Sequence, residues 1–307
     1  MSGEDQVHAS LSRRALCRTG FAAFAAMVLP KVAWPARPSP DETRLDAWTA
    51  ALRTAGLAQH DVPLGEAAVR VGEEAKGTPY RSGTLEAYLR AGGSPTREPL
   101  TLSLTRFDCV TLVESCLAVA RVAGGGKTPT WERFGRQVER MRYRGGTRQG
   151  YASRLHYFSE WISDGVARGL VRDLGAELGG ANDVRPLRFM TEHRESYPAL
   201  RDDATFAEIL RIERRLDDRP RLVVPTKRIP QVVDRINTGD VLAFATEIPG
   251  LDVTHSALAY RGADGVLRVL HAPLSGGVVE ITRATLPEYV AAIRRSTGIF
   301  VARPSWA

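Results

Sequence analysis

The chain has 307 residues, 43% hydrophobic and 25% charged, which is typical of a globular protein with one sizeable core or two small ones. Its formal net charge of +7 comes almost wholly from arginines spread along the chain. A basic charge alone allows a nucleic-acid partner. However, no basic run interleaved with aromatics and no zinc-finger spacing is present, so we expect no nucleic acid and favour contact with an acidic wall polymer or membrane surface.

The first forty residues have the pattern of an export signal. Paired arginines, Arg13-Arg14, precede an apolar stretch over 21–29 and a Pro-rich segment over 30–40. This order predicts that residues 1–37 are a twin-arginine-type signal, read by the export machinery, and that residues 38–307 act outside the cytoplasm, in the periplasm. The apolar stretch is shorter than the about 20 residues that span a bilayer, so no stable membrane span is expected. A frayed basic tail is the alternative interpretation.

Helical patterns come first in the mature segment and strand patterns follow. Apolar spacing predicts helices over 41–57, 62–76, 109–122, 130–143, 151–168 and 202–217. A turn-rich loop covers 77–83, and the stretch 173–198 is irregular. Beyond Gly239, β-branched runs and turn signals predict strands over 241–246, 255–261, 266–271, 278–282 and 298–302, with a helix over 286–295. This order indicates a single α+β domain with an antiparallel sheet.

Cys109 is the first candidate for chemistry. It stands in the first turn of a predicted helix, directly after the N-cap residue Asp108. Because free amides and the helix dipole favour an anion there, we expect the pKa of the thiol to be lowered, as a nucleophile requires. Cys116 lies roughly 10 Å further along the helix, beyond the Cα separation of about 7 Å that a disulfide tolerates. Both should be free thiols, and Cys116 is interpreted as core; Cys109 could also be a small buried hydrophobe.

A thiol nucleophile needs a base, and the base needs a third group to orient it. His255 begins a predicted strand and His271 ends the next one, across the hairpin at 261–266. The two histidines should therefore lie near the same end of the sheet. They could instead be structural, or form a weak metal pair. Because no HExxH motif or spaced cysteine pair accompanies them, we predict no metal site.

Five short motifs in this order resemble the NlpC-type papain-like cell-wall hydrolases. They are Gly77-Thr78-Pro79-Tyr80-x-x-Gly83, Phe107-Asp108-Cys109, Gly239-Asp240-Val241-Leu242, His255-Ser256-Ala257-Leu258-Ala259-Tyr260 and Leu270-His271-Ala272. Within that superfamily the chain looks most like the N-acetylmuramoyl-L-alanine amidase-like group, at residues 154–161, 189–191, 250–255 and 298–304. The resemblance covers roughly residues 75–304 and implies a papain-like α+β core, here with a helical insertion at about 130–235.

The resemblance also implies roles for individual residues. Cys109 matches the nucleophile, His255 the general base, His271 the orienting residue and Tyr80 a tyrosine beside the nucleophile. The implied reaction is hydrolysis of an amide bond in peptidoglycan or muropeptides, without a cofactor, at the N-acetylmuramoyl-L-alanine bond. Val110-Thr111 departs from the Ser-Gly pair that usually follows the cysteine. Candidate substrate contacts are Tyr80, Arg154, His156, Tyr157 and Asp252. The Arg154-x-His156-Tyr157 group, predicted to lie on a helix, could equally be a structural polar cluster.

Three alternatives to an N-acetylmuramoyl-L-alanine amidase stay open. One is a γ-D-glutamyl-diaminopimelate endopeptidase, which would use the same residues on a different bond. Another is a non-catalytic wall-binding protein on the same scaffold, although such a protein has no need for Cys109, His255 and His271 together. The last is acyl or thioester transfer by the same pair of residues.

Overall fold

Helices make up most of the first half of the described chain. A computed structural model describes residues 38–273, 275 and 277–306, and the predicted export signal lies outside them. The order begins with α1 (Pro40–Thr54), α2 (Leu64–Glu74), α3 (Cys109–Gly124) and α4 (Trp131–Arg142). These four confirm the predicted helices. Among the described residues, no helix is long and apolar enough to cross a membrane.

The helix predicted over 151–168 is correct only in its second part. The α-helix α5 covers Phe158–Ala167, and a single 3₁₀ turn, Tyr151–Ser153, precedes it. Arg154 between them is extended, with φ −65° and ψ 141°, and pairs with Tyr143 in an isolated β-bridge. Its side chain is buried in ion pairs, and these distant partners outweigh the local helical preference. After α5 come α6 (Phe189–Glu192) and α7 (Asp203–Asp217).

An eight-stranded sheet forms the centre of the domain. Its strands are β1 (Val171–Asp173), β2 (Ala181–Asn182), β3 (Leu222–Pro225), β4 (Val241–Thr246), β5 (Val253–Arg261), β6 (Leu267–His271), β7 (Glu280–Ile281) and β8 (Ser296–Pro304). The spatial order is β2-β3-β8-β4-β5-β6-β7, and β1 pairs separately with β8. Every strand pair is antiparallel, which confirms the α+β prediction.

The first three strands were not predicted from the sequence. They lie inside segment 130–235, so that segment contributes short strands to the sheet as well as helices. The strand predicted over 278–282 is reduced to the two residues of β7, and the late helix is α8 (Leu286–Ala292). Such short strands carry too little alternation to be recognised without their partners.

Both faces of the sheet are covered. All six residues of β4 are buried, and alternate positions belong to different cores. Val241 and Ala243 face the core shared with α1 to α4, whereas Leu242 and Phe244 face the core that contains α8. This layering packs the start of α3 against β5 and brings the residues of two distant motifs together.

The Gly239-Asp240 motif has a packing explanation. Gly239 has φ +80°, and a Cβ on it would lie 2.0 Å from the carbonyl oxygen of Gly65 in α2. Asp240, which is buried, accepts two bonds of 2.8 Å from the guanidinium of Arg303 and one from the amide of Asn237. The motif thus fixes α2 and β8 around the start of β4.

Candidate active site

A cleft of about 260 Å³ opens where the start of α3 meets the start of β5. Its lining includes Cys109 and His255, which the sequence analysis predicted to act together. The cleft brings together five predicted site residues, namely Cys109, Arg154, His156, Asp252 and His255. Three others lie outside its lining, namely Tyr80, Tyr157 and His271.

The cap of α3 leaves two amides without a helical acceptor beside the Cys109 thiol. The Asp108 carboxylate accepts from the amide of Thr111 at 2.8 Å, and the Thr111 hydroxyl accepts from the amide of Asp108 at 2.9 Å. The amide of Leu112 donates to the Asp108 carbonyl at 3.1 Å. The amides of Cys109 and Val110 belong to the first turn and have no helical acceptor. They are therefore suited to hold an oxygen that gains negative charge.

The thiol of Cys109 is less acidic than the sequence analysis expected. Burial raises its pKa to about 11, and the carboxylate of Asp108 adds to the rise. The amide and hydroxyl of Ser256 and the amide of Val110 act in the opposite direction but are weaker. The expectation of a lowered pKa was wrong, because burial outweighs the helix start. The resting thiol is neutral at pH 7, so a base must take its proton during attack.

His255 is held as a neutral imidazole. Its ring stacks on Phe244 with centroids 5.6 Å apart, and its Nε2 lies 2.8 Å from Nδ1 of His271. Burial lowers the pKa of His255 to about 3, with a further contribution from His271, and burial lowers the pKa of His271 to about 4. Both rings are thus neutral at pH 7, and the 2.8 Å bond must join a donor on one ring to an acceptor on the other.

The surroundings of His271 favour one assignment of the protons. Its Nε2 has no hydrogen-bond partner among the described residues, but it lies 3.6 Å from a carboxylate oxygen of Glu280, whose negative charge favours a proton there. The hydroxyl of Tyr289 lies 3.2 Å from its Nδ1. A proton on Nε2, facing the carboxylate, leaves Nδ1 as the acceptor. His255 then donates from Nε2, and its Nδ1 carries the lone pair that a base needs.

Arg154 forms part of the cleft wall but is already bound within the protein. It is only 3% exposed, and its guanidinium lies 2.7 Å from Glu86 and 3.5 Å from Glu98. The same group lies over the rings of Tyr151 and Tyr88, at 4.7 and 5.6 Å from their centroids. These contacts are those of a structural polar cluster, one of the two interpretations of this region of the sequence.

His156 and Asp252 differ in whether they keep a hydrogen-bonding atom available for a ligand. Burial lowers the pKa of His156, and its Nε2 lies 2.9 Å from the carbonyl of Tyr151, so a neutral ring donates there and keeps Nδ1 as an acceptor. The Asp252 carboxylate accepts from the amides of Ser159 and Val253, at 2.8 Å each. Asp252 therefore supports the wall, whereas His156 retains one acceptor for a ligand.

The two predicted tyrosines lie outside the cleft lining. The hydroxyl of Tyr157 is buried and donates to Glu213 at 2.6 Å, within the cluster that packs against α7. Tyr80 pairs with Phe107 in a β-bridge, and its pKa is raised by burial and by the nearby Cys109 and Asp108. Only Tyr80 is therefore placed near the thiol.

Some cleft residues were not predicted from the sequence. Ser256 follows His255 directly, and its buried hydroxyl bonds to no nitrogen or oxygen among the described residues, which leaves it facing the thiol. An aromatic wall was also missed, formed by Tyr151, Phe158, Trp161 and Tyr197. The signal for Ser256 was its place in the histidine motif, and the signal for Phe158 and Trp161 was their place in the motif at 154–161. Tyr151 and Tyr197 come from separate segments and gave none. Within residues 38–273, 275 and 277–306, no group of three or more metal-binding side chains occurs.

The chain is thus an α+β protein with an antiparallel sheet and a cleft where helix and sheet meet. The sequence matches the AmiA-like family, described as N-acetylmuramoyl-L-alanine amidase-like, over residues 70–299, and the chain belongs to that family. No curated protein matches the sequence as a relative.

Solved structures share this fold. An N-acetylmuramoyl-L-alanine amidase from Bacteroides uniformis ATCC 8492 is 29% identical, with a TM-score of 0.71 over 79% of this chain and 99% of that chain. A Bacteroides fragilis protein described as a candidate xylanase is 33% identical, with a TM-score of 0.68 over 76% and 98%. A Legionella pneumophila protein at 16% identity has a TM-score of 0.60 over 86% and 95%, which shows the fold alone.

Proposed function

We propose that the protein is a cysteine amidase with a papain-like site that cleaves the N-acetylmuramoyl-L-alanine bond of peptidoglycan or muropeptides. The observation that carries the proposal is the shared cleft of Cys109 and His255, with Nδ1 of His271 2.8 Å from Nε2 of His255. A nucleophile, a base and an orienting group are the parts that covalent hydrolysis needs.

The reaction begins with a neutral thiol and a neutral imidazole. As the sulfur of Cys109 attacks the carbonyl carbon of the lactyl amide, Nδ1 of His255 takes the thiol proton. The carbonyl oxygen becomes an oxyanion and accepts bonds from the amides of Cys109 and Val110. His271 accepts from Nε2 of His255 and stabilises the imidazolium that forms.

The intermediate collapses when His255 gives the proton to the nitrogen of L-alanine. The C–N bond breaks, the peptide leaves as an amine, and the lactyl group remains on Cys109 as a thioester. Water then attacks the thioester carbonyl and gives its proton to His255. The carboxylic acid of the sugar is released, and the proton returns to the sulfur.

The choice of bond rests on family membership and on the amidase from Bacteroides uniformis. Cleavage of the γ-D-glutamyl-diaminopimelate bond by the same residues is the second candidate. Mass spectrometry of a digested disaccharide-tetrapeptide separates the two. The amidase releases the whole tetrapeptide from the sugar, whereas the endopeptidase leaves a dipeptide on it.

Glycoside hydrolysis fits the cleft less well. Glycosidases use two carboxyl groups flanking the scissile bond, one as an acid and the other as a base or nucleophile. The carboxylates that line the cleft are Glu86 and Asp252. Glu86 is paired with Arg154, and Asp252 is 1% exposed with two backbone amides bound to it. Neither is free to flank a glycosidic bond.

The test of the cysteine mechanism is a pair of matched variants. Cys109→Ala should abolish release of the tetrapeptide, and Cys116→Ala, which removes the buried cysteine of the same helix, should retain it. Equal activity in both variants would remove Cys109 from the mechanism. A parent protein that binds the disaccharide-tetrapeptide but never cleaves it would point to a wall-binding protein.

We further propose that residues 1–37 direct export to the periplasm. Sequencing the amino terminus of the secreted protein tests this proposal.

A further inference from the structure

A second cavity, of about 320 Å³, adjoins the start of α3 and shares no lining residue with the catalytic cleft. We call it the arginine cavity. Its lining contains no aspartate or glutamate, and its charged members are Arg81, Arg90, Arg106 and Arg142. The rest of the wall is rich in hydroxyls, which come from Ser82, Thr84, Thr101, Ser103, Thr111 and Ser115.

Three of the four arginines are free to bind a ligand. Arg142 is 3% exposed and lies 2.7 Å from Glu114, so its charge is already balanced. Arg81, Arg90 and Arg106 are exposed, and their guanidinium groups form no hydrogen bond or ion pair within residues 38–273, 275 and 277–306. The cavity therefore carries three uncompensated positive charges.

Two carboxylates that bond to hydroxyls of the cavity wall form no ion pair with these arginines. Asp41 accepts from the hydroxyl of Ser103 at 3.2 Å and from the amide of Leu104 at 2.6 Å. Asp108 caps α3 and also accepts from the hydroxyl of Thr84. Neither carboxylate lines the cavity, and both are occupied by neutral donors.

We propose that the arginine cavity is a second binding site, which takes an oxyanion group, either a carboxylate or a phosphate. Guanidinium groups form short, charge-assisted and often bidentate bonds with these groups, and hydroxyls supply further donors. An apolar or cationic ligand would leave three charges unpaired. The proposal does not require that the chain cleaves peptidoglycan.

Residues that are neighbours in the sequence line the arginine cavity and the catalytic cleft. Thr84 lines the cavity and Leu85 the cleft, and Thr111 lines the cavity while Val110 lines the cleft. A bound oxyanion would thus contact the hydroxyls next to the cap of the nucleophile's helix. The oxyanion could belong to a carboxylate of a substrate's peptide or to free phosphate, two sources with the same chemistry.

The test uses the full mature chain carrying Cys109→Ala, so that no substrate is consumed. Isothermal titration calorimetry measures the affinity of three proteins for inorganic phosphate and for the disaccharide-tetrapeptide. The first is this parent, and the second adds Arg81→Gln, Arg90→Gln and Arg106→Gln. The third is a control that removes the same charge from exposed positions on α7, by Arg211→Gln, Arg214→Gln and Arg215→Gln. Circular dichroism checks folding, and single Arg106→Gln replaces the triple variant if that variant does not fold.

We expect the cavity variant to bind phosphate at least about tenfold more weakly than the parent and the α7 control to match the parent, since each lost charge-assisted bond costs roughly that factor. If the disaccharide-tetrapeptide also weakens, and phosphate competes with it, the carboxylate of the peptide is the natural occupant. If only phosphate weakens, the source is free phosphate. Unchanged affinity for both ligands in the cavity variant, or equal losses in the α7 control, would overturn the proposal.

Discussion

The Nε2 nitrogen of His255 lies 2.8 Å from Nδ1 of His271, and this bond links the proposed base to its proposed orienting group. The two side chains come from adjacent strands, where Leu258 pairs with Leu270 and the histidines lie diagonally across the pair. Because Nε2 of His255 is occupied, the only ring nitrogen left for the thiol is Nδ1. The tautomer of His255 is thus controlled by a residue outside the cleft.

Replacing His271 should therefore lower kcat rather than substrate affinity. His271→Ala removes the acceptor that fixes the tautomer of His255, and we expect a loss of about 100-fold in kcat, within the range of general acid-base effects. His271→Asn should recover part of the loss, because its amide oxygen can accept from Nε2. Steady-state kinetics on the disaccharide-tetrapeptide give both constants. Full activity in His271→Ala would exclude the orienting role.

The pH dependence of activity should reflect the two neutral groups. Burial opposes charge on each, so the pKa of His255 falls to about 3 and the pKa of Cys109 rises to about 11. The base form of His255 persists as the pH falls, so kcat/KM should stay nearly constant from about pH 5 to pH 9 and decline only near pH 4 and below. An acid limb centred near the ordinary histidine value of about 6.5 would contradict this assignment.

Alkylation of the Cys109 thiol tests its raised pKa independently of turnover. Iodoacetamide reacts with the thiolate, and the thiolate fraction of a group with a pKa of about 11 grows about tenfold per pH unit below that value. Labelling of Cys109 should therefore be slow at pH 6 and accelerate steadily to pH 10, as mass spectrometry of the Cys116→Ala variant would show. Rapid labelling at pH 6 that changes little with pH would indicate a preformed thiolate and imidazolium.

The features that the sequence predicted well are local. The N-cap residue Asp108, with the apolar spacing after it, suffices to place Cys109 in the first turn of α3, and the structure adds Thr111 as the partner of Asp108 in a capping box. The hairpin between β5 and β6 likewise suffices to bring His255 near His271, because the two histidines lie at similar distances from the turn: His255 is six residues before the end of β5 at Arg261, and His271 is four residues after the start of β6 at Leu267.

The features that the sequence missed depend on distant partners. Arg154 leaves the predicted helix because Glu86 and Glu98, far away in the chain, hold its side chain. The raised pKa of Cys109 reflects burial, which arises only when α3 packs against the sheet. The strand β3 is four residues long and is defined by its pairing with β2 and β8. None of these effects is visible in a window of neighbouring residues.

Gly239 should be essential for stability. Its φ is +80°, and a Cβ at this position would lie only 2.0 Å from the carbonyl oxygen of Gly65, so there is no space for a side chain. Gly239→Ala should therefore cost about 3 kcal/mol or more. Gly265, in the hairpin after β5, is a matched control with φ +73° and open space where its Cβ would lie. Gly265→Ala should cost only about 1 kcal/mol. Urea unfolding of both variants measures the difference, and equal losses would rule out the contact with Gly65 as the cause.

Tyr157 should support the fold rather than bind substrate. Its hydroxyl donates to Glu213 at 2.6 Å and accepts from the amide of Met190 at 3.3 Å. Tyr157→Phe removes the hydroxyl that bonds to the Glu213 carboxylate and the Met190 amide. We therefore expect a loss of about 1–3 kcal/mol in unfolding free energy, with KM unchanged. His156 lines the cleft and retains an acceptor, so His156→Phe, which keeps a ring of similar shape, should raise KM. A raised KM in Tyr157→Phe, with unfolding unchanged, would return this tyrosine to the substrate site.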